Sequence, residues 1–133
     1  MACILIVDDD AIHGQMLVEG LLEAGWEAHA AGGMQEAMSL VRDGRHSLVV
    51  SDLRLDDGDG TALLRALRAD GSSVPVILMS SFGAEGTPQE ARDAGAFAYL
   101  AKPFGLSELL EFVERAHDGA LQRETPTSPL PDA

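Results

Sequence analysis

The chain has 133 residues, 46% of them apolar, and carries 9 Lys and Arg against 22 Asp and Glu, a formal charge of -13. That length suits one domain with one core, and the apolar fraction excludes global disorder. The negative field excludes unaided binding to nucleic acid phosphates, and no apolar run approaches the ~18–20 residues of a membrane helix. Cys3 is the single cysteine, so an intrachain disulfide is excluded. It is expected to be a small core residue, in keeping with a reducing compartment. With no basic leader before the first apolar run, a cytoplasmic location is the expectation.

Short apolar runs alternate with helical spacing along the chain. The run Ile4-Leu5-Ile6-Val7 predicts a first strand ending at Asp8-Asp9-Asp10, with Asp10 as the cap of a helix. Leu17, Val18, Leu21 and Leu22 mark one stripe of that helix, and Gly25 closes it. Trp26 to Ala30 predicts a weak second strand. Gly32-Gly33 then breaks the chain before a helix over Met34 to Val41, with Ala37, Met38 and Val41 inward and Asp43-Gly44 at its end. Leu48-Val49-Val50-Ser51 predicts a third strand ending at Asp52. Asp56, Asp57 and Asp59 lie in the acidic, glycine-punctuated segment after it and are expected to form a solvated loop.

Leu63, Leu64 and Leu67 mark a third helix that stops near Gly71. Val74 to Met79 predicts a fourth strand ending at Ser80-Ser81. Thr87-Pro88-Gln89-Glu90 reads as a cap, a proline at the first helical position and a glutamate two further on, opening a fourth helix that Gly95 closes. Phe97 to Ala101 predicts a fifth strand ending at Lys102-Pro103, and Leu106, Leu109, Leu110 and Val113 the stripe of a fifth helix. The domain is expected over residues 1–118. Residues 119–133 are expected to finish the fifth helix and continue as a flexible tail or linker, because Pro126, Pro129 and Pro131 cannot stay helical.

This is a (βα)5 pattern. Strands covered by helices on both faces should be parallel with right-handed crossovers, giving an α/β doubly wound sheet of expected order 2-1-3-4-5. In such sheets ligands bind beyond the carboxyl ends of the strands, at the switch point beside strand 1. Asp8, Asp9 and Asp52 should therefore converge, with Ser80 and Lys102 at the same edge. Clustered carboxylates repel one another unless a cation neutralises them, and Mg2+ (or Mn2+ in its place) suits a few carboxylates plus phosphoryl oxygens. A carboxylate so placed can attack phosphorus, with an ammonium and a hydroxyl stabilising the transferring oxygens.

At these residues the sequence resembles the receiver domains of two-component response regulators. The matching segments are Ile6-Val7-Asp8-Asp9-Asp10, Ser51-Asp52-Leu53-Arg54-Leu55 with Gly60, Val74 to Ser80, and Tyr99-Leu100-Ala101-Lys102-Pro103-Phe104. Their mutual spacing fits as well, and the resemblance covers about residues 2–118. It implies a flavodoxin-like fold and a phosphoacceptor regulatory domain rather than a turnover enzyme. Asp52 would be the phosphoacceptor, Asp9 a direct metal ligand, Asp8 a ligand mainly through water, and the Arg54 backbone carbonyl a further ligand. Ser80 and Lys102 would bind the phosphoryl group, Lys102-Pro103 would be a cis peptide, and Ser80 with Tyr99 would form the switch.

The implied partners are a sensor histidine kinase or phosphotransfer protein carrying phosphohistidine, and a downstream output domain or protein. The family also admits a homodimer on phosphorylation. Four positions depart from the common pattern: Asp56 replaces a frequent proline, Ser80 a threonine, Gly105 a capping aspartate, and Phe82 is bulky two residues after Ser80. The Asp56 loop is expected to be more mobile, the Gly105 cap weaker, and water's access to the phosphoacceptor restricted by Phe82. His13, His29, His46 and His117 show no metal-ligand spacing, and His13 is not expected to act at the site.

A rival is a haloacid-dehalogenase-type phosphohydrolase, with Asp8 attacking and Asp10 as acid or base. It lacks an acidic pair after Lys102 and a substrate-capping domain. A third reading is a receiver-like fold that binds partners without being phosphorylated, which leaves the acid, hydroxyl and lysine set without purpose.

Overall fold

The computed structural model of the protein describes residues 3–80 and 88–121. Its elements run β1 (Cys3–Val7), α1 (Ala11–Glu23), β2 (Glu27–Ala31), α2 (Met34–Arg42), β3 (Leu48–Asp52), α3 (Gly60–Ala69), β4 (Val76–Ser80), α4 (Pro88–Ala94), β5 (Ala98–Ala101) and α5 (Leu106–Leu121). All pairings in the five-stranded sheet are parallel, and the spatial order is β2-β1-β3-β4-β5. The doubly wound order expected from the alternation is therefore the observed one. Between β3 and α3, Arg54–Leu55 pairs antiparallel with Gly58–Asp59 as a separate two-stranded ribbon. The expected Thr87 cap, Ser81, Phe82 and the tail beyond Leu121 lie outside the described residues.

Alternation along each strand feeds two cores. Leu5, Val7, Val49, Val76 and Leu78 face α2, α3 and α4 through Ala37, Met38, Val41, Leu63, Leu64, Leu67 and Ala91. Ile4, Ile6, Val50, Ile77 and Met79 face α1 and α5 through Leu17, Val18, Leu21, Leu109, Val113 and Ala116. Each fully buried aliphatic among them contributes about 1.5–3 kcal/mol by leaving water. Two stripe assignments need correction. Leu22 is 51% exposed and Leu106 39% exposed. Leu22 lies five residues past Leu17, about 140° around the helix, so it falls on the rim of the buried face. Leu106 lies over α1, and a Cβ at Gly20 would come within 2.9 Å of its Cδ2.

The helix ends obey local chemistry. The Asp10 carboxylate accepts from the N–H groups of Ile12 and His13 at 3.0 and 3.1 Å. At the other end Gly25 takes φ 98°, and the N–H groups of Gly25 and Trp26 donate back to Leu22 and Leu21. That is the double bond pattern of a glycine-closed helix, which other residues adopt at a cost. The missing cap at Gly105 is offset by Glu108, whose Oε1 accepts from the Gly105 N–H at 3.3 Å.

Gly60 sets the junction between β3 and α3. A Cβ there would lie 2.6 Å from Leu78 Cδ2, 2.8 Å from the Asp52 carbonyl oxygen and 3.3 Å from Leu53 Cα. Two of these are backbone atoms beside the acidic edge, so relief requires the strand end to move. Gly60→Ala is expected to destabilise the fold by about 1–3 kcal/mol, the usual cost of overpacking. Urea unfolding midpoints measure it, and an unchanged midpoint would show that the junction has slack.

Candidate functional site

Asp8, Asp9, Asp52, Ser80 and Lys102 all sit at the carboxyl edge of the sheet. Asp8 follows β1 and is buried; its Oδ1 accepts from the Asp10 N–H at 2.9 Å, which fixes the carboxylate against the start of α1. Asp52 ends β3 and is 9% exposed. Asp9 is exposed beside them, and one carboxylate oxygen from each of Asp8, Asp9 and Asp52 lies within 4.8 Å of the others. Lys102 Nζ stands 3.1 Å from Asp52 Oδ2 and 3.7 Å from Asp8 Oδ2. The Lys102–Pro103 peptide is cis.

Ser80 closes β4 and is buried, and its carbonyl accepts from the Lys102 N–H at 2.7 Å. Tyr99 pairs with Leu78 across the β4–β5 ladder and packs, partly buried, on the core layer shared by α2, α3 and α4. Arg54 opens the short ribbon and lines, with Asp9, Asp56 and Asp59, an open cleft of ≈ 700 Å³.

Three features of the site escaped the sequence reading. His13 was expected to play no part, yet its Nδ1 donates to Asp8 Oδ2 at 2.6 Å. With Asp10 as cap, His13 falls in the first turn of α1 and turns back toward the strand end it follows. Asp57 belongs to the segment expected to form a solvated loop, but its two oxygens accept from the Met34 and Gln35 N–H groups at the start of α2. Asp59 caps α3, with its Oδ1 accepting from the Ala62 N–H and the Thr61 hydroxyl, both at 2.7 Å. The loop expected to be mobile is thus pinned at both helices and by the ribbon. Asp59 carries a local signal, a cap position before an apolar stripe. Asp57 caps a helix 23 residues earlier, which no local pattern reveals.

The electrostatics divide the same acids into two groups. Burial raises the Asp52 pKa, Lys102 opposes that rise, and Asp8 reinforces it. Partial desolvation raises the Asp9 pKa, with the hydrogen bond and charge of Asp56 next and the charges of Asp52 and Asp8 adding. Asp59 behaves oppositely: burial resists its ionisation, but donation from Ala62 and Thr61 outweighs burial and lowers its pKa. Donation from Met34 and Gln35 lowers that of Asp57.

For Asp9 and Asp52 the ionised form is penalised in the folded state, and the penalty is complete above the raised pKa. Stability in chelator should therefore rise as pH falls from neutrality through the raised values toward the ordinary carboxyl range. Below that range the bonds to Asp57 and Asp59 are lost as those groups protonate, and stability should fall. Urea midpoints across pH test the sign; a monotonic fall from neutral to acid would contradict it.

A doubly wound sheet with three acids, an ammonium and a buried hydroxyl at its carboxyl edge has counterparts among known proteins. A family model described as "Response regulator receiver domain" matches residues 4–114. The chain belongs to that family. It is 38% identical over 113 residues to "Regulatory protein AtoC" of Escherichia coli, covering 85% of this chain and 24% of the relative. It is 34% identical over 130 residues to "DNA-binding transcriptional regulator NtrC" of Azospirillum brasilense, covering 98% and 26%. Its span is thus about a quarter of the length of these relatives. Among solved structures, FixJ-N aligns with a TM-score of 0.83 at 29% identity, covering 89% of this chain and 94% of that one. The chemotaxis response regulator CheY4 of Vibrio cholerae aligns with a TM-score of 0.77 at 29% identity, covering 87% and 98%.

Proposed function

We propose that this receiver domain takes a phosphoryl group on Asp52 from the phosphohistidine of a sensor kinase or phosphotransfer protein, and that the modification switches a partner-binding surface. The observation that carries the proposal is the gathering of the Asp8, Asp9 and Asp52 carboxylates within 4.8 Å with Lys102 Nζ 3.1 Å from Asp52. So many acids facing one ammonium fit a hard divalent cation: the donors are all oxygens, and burial, with the neighbouring acids adding to it, raises the pKa values of Asp9 and Asp52. Asp8, Asp9, Asp52 and the Arg54 carbonyl are the groups that would hold Mg2+. When bound, the ion offsets charge on the phosphoryl oxygens.

The chain's own residues do the rest. An Asp52 carboxylate oxygen forms the bond to phosphorus as the phosphorus–nitrogen bond of the donor breaks, and the imidazole keeps the electron pair and takes a proton. Lys102 gives up its bond to Asp52 Oδ2 and pairs with a phosphoryl oxygen. The Ser80 hydroxyl donates to another. Ser80 and Tyr99 lie on the neighbouring strands β4 and β5, so a shift of Ser80 is passed to Tyr99 and to the α4–β5–α5 surface. Relatives four times as long, one of them described as a DNA-binding transcriptional regulator, support an output domain joined to this one, with residues 119–133 as the connection.

The test is incubation with a small phosphoramidate or acyl phosphate donor and Mg2+, followed by peptide mapping of the alkali-labile phosphate. Label confined to the peptide bearing Asp52 is expected. Steady phosphomonoester turnover that disappears in Asp8→Asn would instead favour the phosphohydrolase reading.

A further inference from the structure

A second group of metal-ligating side chains lies at the opposite end of the sheet. Cys3 opens β1, His29 lies in β2, and His46 precedes β3. One ligand atom from each falls within 4.8 Å of the others. Cys3 Sγ is 3.6 Å from His29 Nδ1, and His29 Nδ1 is 3.0 Å from His46 Nε2. Asp8 lies five positions beyond Cys3 along β1, roughly 16 Å away, so this cluster shares nothing with the acidic edge.

We propose that Cys3, His29 and His46 form a zinc site at the amino-terminal edge of the sheet. A tetrahedral Zn2+ with bonds of ~2.3 Å to sulfur and ~2.0–2.1 Å to nitrogen sets its ligands about 3.6 Å apart for sulfur–nitrogen and about 3.3 Å for nitrogen–nitrogen. The first spacing is already present, and the observed nitrogen–nitrogen distance of 3.0 Å is about 0.3 Å short of the second, a gap that small rotations of the imidazoles close. His46 is prepared as a ligand: its Nδ1–H donates to the Leu40 carbonyl at 3.3 Å, so Nε2 presents a lone pair toward His29. Burial lowers the His46 pKa and keeps the ring neutral. Cys3 and His46 are buried while His29 is exposed, which leaves a path for the ion and for a water as fourth ligand.

The donor set of one thiol and two imidazoles selects Zn2+ over the hard cation suited to the acidic edge. Without metal, burial raises the Cys3 pKa, the charge of Glu27 adds to that, and Arg45 opposes it. Metal entry therefore displaces the thiol proton to solvent, and the His29 proton moves from Nδ1 to Nε2. Bound metal would tie edge strand β2 to β1 and to the segment before β3, and so stabilise the folded state by mass action.

The test uses the whole chain under reducing conditions with excess Mg2+ to saturate the acidic edge. Co2+ is the probe, because thiolate coordination gives a charge-transfer absorption that carboxylates do not, and Zn2+ is then used to displace it. The expected result is one equivalent bound, a rise in melting temperature with Zn2+, loss of the charge-transfer band in Cys3→Ser, and affinity at least about tenfold weaker in His29→Gln. His29 is exposed, so that variant leaves the core intact. Unchanged affinity in His29→Gln, or loss of binding in Asp52→Asn, would overturn the assignment.

Discussion

Asp52→Asn is expected to lower phosphoryl incorporation to background while raising the melting temperature of the metal-free protein. The two outcomes share one cause. Asp52 is a buried carboxylate whose ionised form is penalised by burial and by Asp8, and only Lys102 at 3.1 Å offsets the penalty. The amide keeps the shape and still accepts from Lys102, but it carries no charge to bury and no nucleophilic oxygen. Mg2+ should raise the melting temperature of the wild type more than that of the variant, because one ligand charge is gone. Measurement pairs phosphate mapping with calorimetry in chelator and in Mg2+. Undiminished acyl phosphate would remove Asp52 from the role, and a lower melting temperature in chelator would contradict the charge argument.

Lys102→Met should do the reverse to stability and lower the rate as well. Methionine retains much of the apolar stem, so the packing that stem makes is largely kept. What disappears is the ammonium 3.1 Å from Asp52 and 3.7 Å from Asp8, leaving two buried acids with like charge. Losing one partner of such a cluster costs about 3 kcal/mol, the low end for buried pairs because Lys102 keeps 19% exposure. Mg2+ should restore much of that loss, since it supplies the missing positive charge. The rate should not be restored: removing one donor to transferring oxygens costs about 10²–10³-fold. Single-turnover phosphorylation at saturating Mg2+ separates the two effects. A rate within twofold of wild type would show that Lys102 serves only to neutralise.

Much of this was legible in one dimension. Alternating apolar runs and helical stripes fixed the number and order of elements, because burial of a strand or a helix face imposes its own period on the residues. The carboxyl-edge position of Asp8, Asp9, Asp52, Ser80 and Lys102 followed from strand ends alone, since parallel strands bring all their carboxyl ends together. Asp10 and Gly25 announced helix ends through chemistry confined to a few neighbouring residues.

The contacts that stayed hidden join residues whose separation carries no period. Asp57 caps α2 across 23 residues, and Cys3, His29 and His46 meet only because β1, β2 and the approach to β3 lie side by side. His13 reaches Asp8 through the turn that a cap imposes, a matter of backbone direction rather than residue type. Leu22 and Leu106 lie in apolar stripes yet are half exposed, because neighbouring helices cover a face only as far as they extend. Local propensity and burial write the elements and their polar ends into the chain. Which distant side chains touch, and with what charge balance, is set by packing geometry, which no pattern along the chain encodes.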